Sequence, residues 1–212
     1  ITILGPSDFT PSGSGYSDSI LADNPLGYWR LGETSGTIAE DASPNNRDGT
    51  YLNGAILGAA GAINGNPDKA VTFADVDDKV DLPDFAPFAN GITFESWVYP
   101  VGNVAWQHIF VASTGTNNNS IVIGRYSTNN DIYVQSYNGT SGGGALRAYD
   151  FLIPNVWQHI AVTITAAGSA VIYWNGRAVT SGTLNALANV ARTVNEIGPF
   201  GGKVDEAALF GS

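Results

Sequence analysis

The sequence predicts an all-β fold of antiparallel strands, and three features carry that expectation. Short segments of alternating apolar and polar residues recur along the chain with a period of two, the period of a strand that buries one face. Turn residues separate them, among them many of the 26 glycines, as in a chain of short strands. Helical spacing is confined to Tyr16 to Asp23. With 212 residues, 43% of them hydrophobic, the chain can bury one large core, and sandwiches of this length commonly form one domain.

The elements follow in order. Thr10-Pro11-Ser12-Gly13-Ser14-Gly15 reads as a flexible linker with nothing apolar to bury, so residues 1–15 are expected to be a linker or N-terminal extension and 16–212 the domain. The start at Ile1-Thr2-Ile3, without a basic-then-apolar leader, suits a mature product or a module cut from a longer chain. Asp84 to Ala89, broken by Pro87, is at most a turn. In the next strand Ile92, Phe94, Ser96 and Val98 share one side and Thr93, Glu95, Trp97 and Tyr99 the other, which places it centrally with both faces covered.

Ser120 to Tyr126 and Asp131 to Asn138 form a hairpin around Ser127-Thr128-Asn129-Asn130. If Tyr126 pairs with Asp131, Ile121, Ile123, Ile132 and Val134 face the core. The opposite face then carries Val122, Gly124, Tyr126, Asp131, Tyr133, Gln135 and Tyr137. Trp106-Gln107-His108-Ile109 and Trp157-Gln158-His159-Ile160 resemble each other, as equivalent strands in facing sheets would. Their histidines read as packed imidazoles, and Trp97, Trp157 and Trp174 as core. Near the C-terminus, Gly202-Lys203-Val204-Asp205-Glu206-Ala207-Ala208-Leu209-Phe210 alternates so that Val204, Ala208 and Phe210 call for burial, which obliges Asp205 to find a polar or cationic partner.

Charge excludes two classes of partner. Nine Lys and Arg against 19 Asp and Glu give a net charge of −10, which repels nucleic acid and anionic membranes. The longest apolar runs are of strand length, so membrane insertion is not expected. The absence of cysteine rules out disulfides and thiolate metal sites.

Asp41-Ala42-Ser43-Pro44-Asn45-Asn46-Arg47-Asp48-Gly49 crowds oxygen side chains into a turn of the kind that wraps calcium. It is not an EF-hand, because Asn46 replaces the turn glycine and Leu52 the bidentate acid. The expectation is a structural calcium ion held by Asp41, loop oxygens near Asn45, and Asp205, with Glu33 as a fourth participant. An equal alternative makes Asp41 an Asx-turn cap and Asp205 a partner of Arg30 or Lys203.

Catalysis has little support. The glutamates Glu33, Glu40, Glu95, Glu196 and Glu206 do not form the Glu-x-Asp-x-x-Glu pattern that pairs two carboxylates for glycoside hydrolysis. Asp75, Asp77, Asp78 and Asp81 read as a turn before a strand. Gly139-Thr140-Ser141-Gly142-Gly143 matches Gly-x-Ser-x-Gly but lacks the helix that a nucleophile elbow requires. The tyrosine face Tyr126, Tyr133, Gln135 and Tyr137, flanked by the loops Ser113 to Asn119 and Asn138 to Gly144, offers rings and amides on which sugars could stack and hydrogen-bond. The same stripe also suits a face covered by a loop or a neighbouring strand.

Asn24-Pro25-Leu26-Gly27-Tyr28-Trp29-Arg30-Leu31-Gly32-Glu33, Asp41 to Tyr51, Ala70 to Phe73, Phe94-Glu95-Ser96-Trp97-Val98, Trp157 to Thr163, Tyr173 to Arg177 and Val204-Asp205-Glu206 together resemble the laminin G-like, concanavalin A-like jelly-roll family. The resemblance implies two antiparallel sheets packed as a sandwich, often with calcium, and a noncatalytic lectin-like module that binds a cell-surface glycan or polysaccharide. The opening from Leu21 to Glu33 also looks like modules of bacteriophage tail and bacterial surface proteins. That implies an extracellular, cell-surface or virion location and, as the alternative role, a structural module contacting other domains or subunits without sugar binding. Family members often have Gly in the turn where this chain has Pro44 and Asn46.

Overall fold

The structure, a computed structural model, describes residues 15–211; the expected linker, residues 1–15, lies outside the described residues except for Gly15, which begins a helix. Helix α1 (Gly15–Ala22) buries Tyr16 and Ile20. It is followed by strands β1 (Gly27–Trp29), β2 (Ile38–Ala39), β3 (Gly49–Leu52), β4 (Ile56–Ala60), β5 (Lys69–Phe73), β6 (Lys79–Leu82), β7 (Gly91–Pro100) and β8 (His108–Ser113). The second half supplies β9 (Ile121–Arg125), β10 (Ile132–Asn138), β11 (Ser141–Gly142), β12 (Leu146–Ala148), β13 (Gln158–Thr165), β14 (Ser169–Trp174), β15 (Arg177–Thr183), β16 (Val194–Ile197) and β17 (Gly202–Gly211). No helix among the described residues is long and apolar enough to cross a membrane.

The strands form a two-sheet jelly-roll sandwich, antiparallel throughout. One sheet has eight strands in the order β15-β14-β13-β7-β17-β5-β4, with β1 also on β17. The other has nine in the order β11-β10-β9-β8-β16-β6-β3-β2, with β12 also on β10. The inward side chains of both sheets meet in one core. Phe94 of β7 stacks on Phe110 of β8 across the layers, with ring centroids 4.5 Å apart, and Trp29, Phe73, Ile123, Val134, Ile160 and Val162 are fully buried around them. Each such side chain contributes about 1.5 to 3 kcal/mol.

Strand β7 is central, between β13 and β17. Ile92, Phe94, Ser96 and Val98 are fully buried inward, while Thr93, Glu95, Trp97 and Tyr99 are half-buried outward. Helix α1 covers part of that outer face, where Trp97 Nε1 donates to Tyr16 Oη at 3.1 Å. The tryptophan expectation needs correction. Trp97, Trp157 and Trp174 are only half-buried, because Trp97 has the outward parity of β7, Trp157 precedes β13 and Trp174 ends β14. Trp29 is the fully buried tryptophan. The resembling segments do stand in facing sheets, leading into β8 and β13, and each buries its glutamine, Gln107 and Gln158.

Strand β17 departs from simple alternation. A bulge falls between Asp205 and Ala208, where Glu206 takes a left-handed φ of 51°. The extra residue flips the parity, so Val204, Ala207 and Leu209 enter the sandwich core, whereas Ala208 joins Tyr16, Ile20, Tyr28 and Ile63 under α1, with Phe210 packed alongside. The alternation read from sequence places Val204, Ala208 and Phe210 together; the bulge separates them.

Beside α1, His159 Nε2 lies 3.7 Å from Glu95 Oε2. Burial pushes His159 down to about 4. Burial, reinforced by the charge of Asp23, pushes Glu95 up to about 7. Between those values the contact joins a neutral imidazole to a neutral carboxylic acid. A carboxyl raised on folding contributes stability that is complete at low pH and is lost as pH climbs toward about 7, because the folded state then holds a proton that the unfolded chain has released. The effect can reach about 3 kcal/mol. Glu95→Gln, which fixes the neutral form, is therefore expected to be about 1 to 3 kcal/mol more stable than the parent at pH 8 and to lose that advantage at pH 4.5, read by urea unfolding at both values.

Candidate functional site

The outward face of the nine-stranded sheet carries a cleft of about 810 Å³. Register builds its floor. Glu196 of β16 lies opposite Val111 of β8, Val111 opposite Val122 of β9, and Val122 opposite Gln135 of β10. In a neighbouring row Tyr133 faces Gly124, which faces His108. Glycine is required there, since a Cβ on Gly124 would come within 2.2 Å of the Gln107 carbonyl oxygen. Burial pushes the His108 imidazole below its ordinary value, against the opposing pull of Glu196.

Aromatic rings close one end. Trp106, Tyr126 and Tyr133 meet edge to face, with centroids 4.8 Å apart for Trp106 and Tyr126, 5.8 Å for Trp106 and Tyr133, and 5.9 Å for the two tyrosines. Trp106 is 49% exposed and Tyr133 4%, so the tryptophan forms the accessible lip and Tyr133 its support. Trp106 holds a left-handed φ of 59°, a conformation that costs a bulky residue about 1 to 3 kcal/mol. The Arg147 guanidinium covers Tyr126 at 3.6 Å from the ring centroid and is itself held by the Asp131 carboxylate. Tyr137 Oη donates to Gln135 Oε1 at 3.3 Å, and Gln135 Nε2 donates to the Gly143 carbonyl at 2.8 Å. That second bond ties the arm of residues 139–145 to the cleft wall.

Two fully buried arginines anchor the loops at the ends. Arg125 donates to Gln107 Oε1, the Asn129 carbonyl, Asn130 Oδ1 and the Gly102 carbonyl, at 2.8 to 3.2 Å. It thereby fixes the segments that present Trp106 and Tyr126. Arg192 donates to the carbonyls of Asn119, Val190 and Ala188 at 3.1 to 3.4 Å, fixing the far end near Ser113 to Asn119. Burial lowers both groups, Arg192 to about 10.

The hairpin register is the expected one, with Tyr126 N donating to the Asp131 carbonyl at 3.1 Å. Ile121, Ile123, Ile132 and Val134 are fully buried inward. Tyr126, Tyr133, Gln135 and Tyr137 all line the cleft, joined by Ser113, Thr116 and Asn117 from one expected loop and by Gly143 and Gly144 from the other. Trp106, His108 and Glu196 also line it and are not among the site residues expected from sequence. The available signal was Trp106 standing after a Gly-Asn-Val-Ala loop rather than inside a strand. Gly139 to Gly143 turns into the two-residue β11 with no helix after it, as expected of a chance Gly-x-Ser-x-Gly match.

The residues expected to hold calcium do not fit that ion. Asp41 Oδ1 accepts from the backbone N–H groups of Tyr28 and Ser43, and Oδ2 from Ser43 Oγ and the Arg47 N–H, at 2.8 to 2.9 Å. Calcium needs six to eight free oxygens, and these are occupied by donors in an Asx-turn cap. Asn45 turns its amide Nδ2 to the Pro25 carbonyl at 2.9 Å. Glu33 accepts from Tyr51 Oη at 2.6 Å and from the Glu40 N–H at 3.0 Å. Asp205 Oδ2 accepts from the Ala62 N–H at 2.6 Å, and its Oδ1 is buried without a hydrogen-bond partner. Burial is the first cause of its strongly raised pKa. Among the described residues no three His, Cys, Asp or Glu side chains come together in a way that could hold a metal. The alternative partners for Asp205 also need correction, since Arg30 pairs with Glu206 and Asp68 instead, and Lys203 Nζ lies over the Tyr99 ring, 4.7 Å from its centroid. Asn46 supplies the left-handed turn itself, at a φ of 52°.

A family model described as the concanavalin A-like lectin/glucanases superfamily, within the laminin G group, matches residues 74–212. Domain 4 of AbnA, a GH43 extracellular arabinanase from Geobacillus stearothermophilus, solved in complex with arabinotriose, superposes with a TM-score of 0.65 at 19% identity, over 89% of this chain and 93% of that one. The binding domain of botulinum neurotoxin serotype D gives 0.67 at 12% identity, over 91% of this chain and 49% of that one. The binding domain of botulinum neurotoxin DC in complex with SialylT gives 0.65 at 14% identity, over 91% and 49%. The chain thus spans about half the length of the toxin domains. No curated protein sequence matches it.

Asp41→Ala is expected to cost about 2 to 4 kcal/mol, because it strands the backbone N–H groups that the carboxylate satisfies. Addition of EDTA is expected to leave the melting temperature of the parent chain unchanged, both effects being read by scanning calorimetry.

Proposed function

The chain belongs to the concanavalin A-like lectin/glucanase superfamily, and from that premise we propose that it is a noncatalytic carbohydrate-binding module of a larger extracellular surface or tail protein. The observation that carries this reading is the cleft itself. Half-exposed rings of Trp106, Tyr126 and Tyr137 stand beside the Gln135 amide and the neutral polar loop residues Thr116 and Asn117. Rings give a sugar an apolar face to pack on, and amides and hydroxyls satisfy its hydroxyl groups. The neighbour that carries arabinotriose and the one that carries SialylT give the reading independent support.

A hydrolase would place two carboxylates across its substrate, one as acid and one as nucleophile or base. Among the described residues the cleft lining contains one, Glu196, and its Oε1 sits 2.5 Å from Lys79 Nζ. That contact commits the single carboxylate to a lysine, and no second carboxylate in the lining stands across from it. Burial of Tyr133 favours the second reading, a structural or protein-interaction module without sugar affinity, because that ring serves packing more than contact.

Glycan-array binding followed by isothermal titration calorimetry separates the two. Trp106→Ala and Tyr137→Ala are each expected to weaken binding about tenfold, or 1.4 kcal/mol, with circular-dichroism melting little changed. Blank arrays across all glycans would leave the structural reading standing.

A further inference from the structure

Building on the carbohydrate-binding reading, we infer that the cleft selects an uncharged polysaccharide chain and turns away glycans bearing uronate, sialate or sulfate groups. The lining decides this by its charges. Among the described residues that line the cleft, Glu196 contributes the one carboxylate and no lysine or arginine contributes at all. Two cations that touch lining residues are already committed: Lys79 to Glu196 at 2.5 Å, and Arg147 to Asp131 and the Tyr126 ring. An anion entering the cleft would lose water without meeting a free cation, and burying an unpaired charge is costly. It would also face a chain whose net charge is −10, which repels polyanions before contact.

The remaining polar groups suit hydroxyls. Thr116, Asn117, Gln135 and Tyr137 both donate and accept hydrogen bonds without formal charge. The dimensions suit a chain rather than a single ring. The floor runs from Glu196 on β16 to Gln135 on β10, three inter-strand steps of about 4.8 Å each, or roughly 14 Å. The volume of about 810 Å³ lies at the upper end of the range for ligand clefts, roughly 300 to 1,000 Å³.

Affinity electrophoresis of the purified chain through neutral polymers (arabinan, galactan, mannan, xylan, β-glucan) and acidic ones (polygalacturonate, alginate, heparin, polysialate) tests the inference. At least one neutral polymer is expected to retard the chain and no acidic one. For a polymer that retards it, partial oxidation of primary hydroxyls to carboxylates is expected to weaken binding about tenfold or more. That penalty should shrink in 1 M salt and in Val194→Arg, which places a cation at an exposed lining position opposite Ser113. Retardation by an acidic polymer as strong as by any neutral one overturns the charge selection while leaving the carbohydrate-binding reading intact. A penalty that neither salt nor Val194→Arg reduces overturns it as well, since lost hydroxyl contacts would then be the cause. No retardation by any polymer overturns both.

Discussion

Two guanidinium groups sit where water does not reach, and neither has a carboxylate partner among its hydrogen bonds. Arg125 and Arg192 are instead satisfied by neutral oxygens, most of them backbone carbonyls of loops that have no sheet partners of their own. A buried charge with so many acceptors is tolerable only while every acceptor stays in place. The loops at both ends of the cleft are therefore locked to the same interior that closes the sandwich. Trp106 can hold an unfavourable backbone angle because Arg125 grips both Gln107 and Gly102 on either side of it.

Above that constraint lies the division of labour between the two faces of the nine-stranded sheet. Its inner face is aliphatic and dry, and pins the strands to one register. Its outer face inherits that register without contributing much to it, so cross-strand rows such as Glu196, Val111, Val122 and Gln135 are aligned by packing on the opposite side. Rigid elements of this kind position side chains better than loops alone can. The eight-stranded sheet does the reverse. It spends its outer face on α1, on the His159 and Glu95 contact and on the Arg30 pairs with Glu206 and Asp68.

Sequence made the regular parts legible. A period of two identifies β7 as central and assigns each residue of the hairpin to a face, because a slip of one residue would expose four isoleucine and valine side chains at once. Helix α1 and the absence of a helix after Ser141 were likewise readable from local spacing. The irregular parts were not. Nothing in Asp205-Glu206-Ala207-Ala208 announces a bulge, since glutamate has no preference for the left-handed conformation that makes it. The partner of Asp205 is the N–H of Ala62, 143 residues away, and a backbone donor leaves no mark in side-chain chemistry. Asp41 matched both an ion ligand and a turn cap, and the choice depended on which neighbouring N–H groups turned toward it. Trp106 was hidden by its likeness to Trp157, whose ring lies against Tyr99 at 5.5 Å instead of at the mouth of a cleft.

The arm of residues 139–145 is held by polar bonds alone: a two-residue ladder of β11 on β10, the Gly143 N–H on the Ser136 carbonyl, amide bonds from Gln135 to Gly143 and from Asn185 to the Ser141 carbonyl, and a reciprocal pair between Gly139 and Asn119. None of its residues belongs to the hydrophobic core. Insertions or exchanges there would reshape the entrance while leaving the folding free energy nearly untouched, which makes this segment the place where descendants of one scaffold could acquire different tastes.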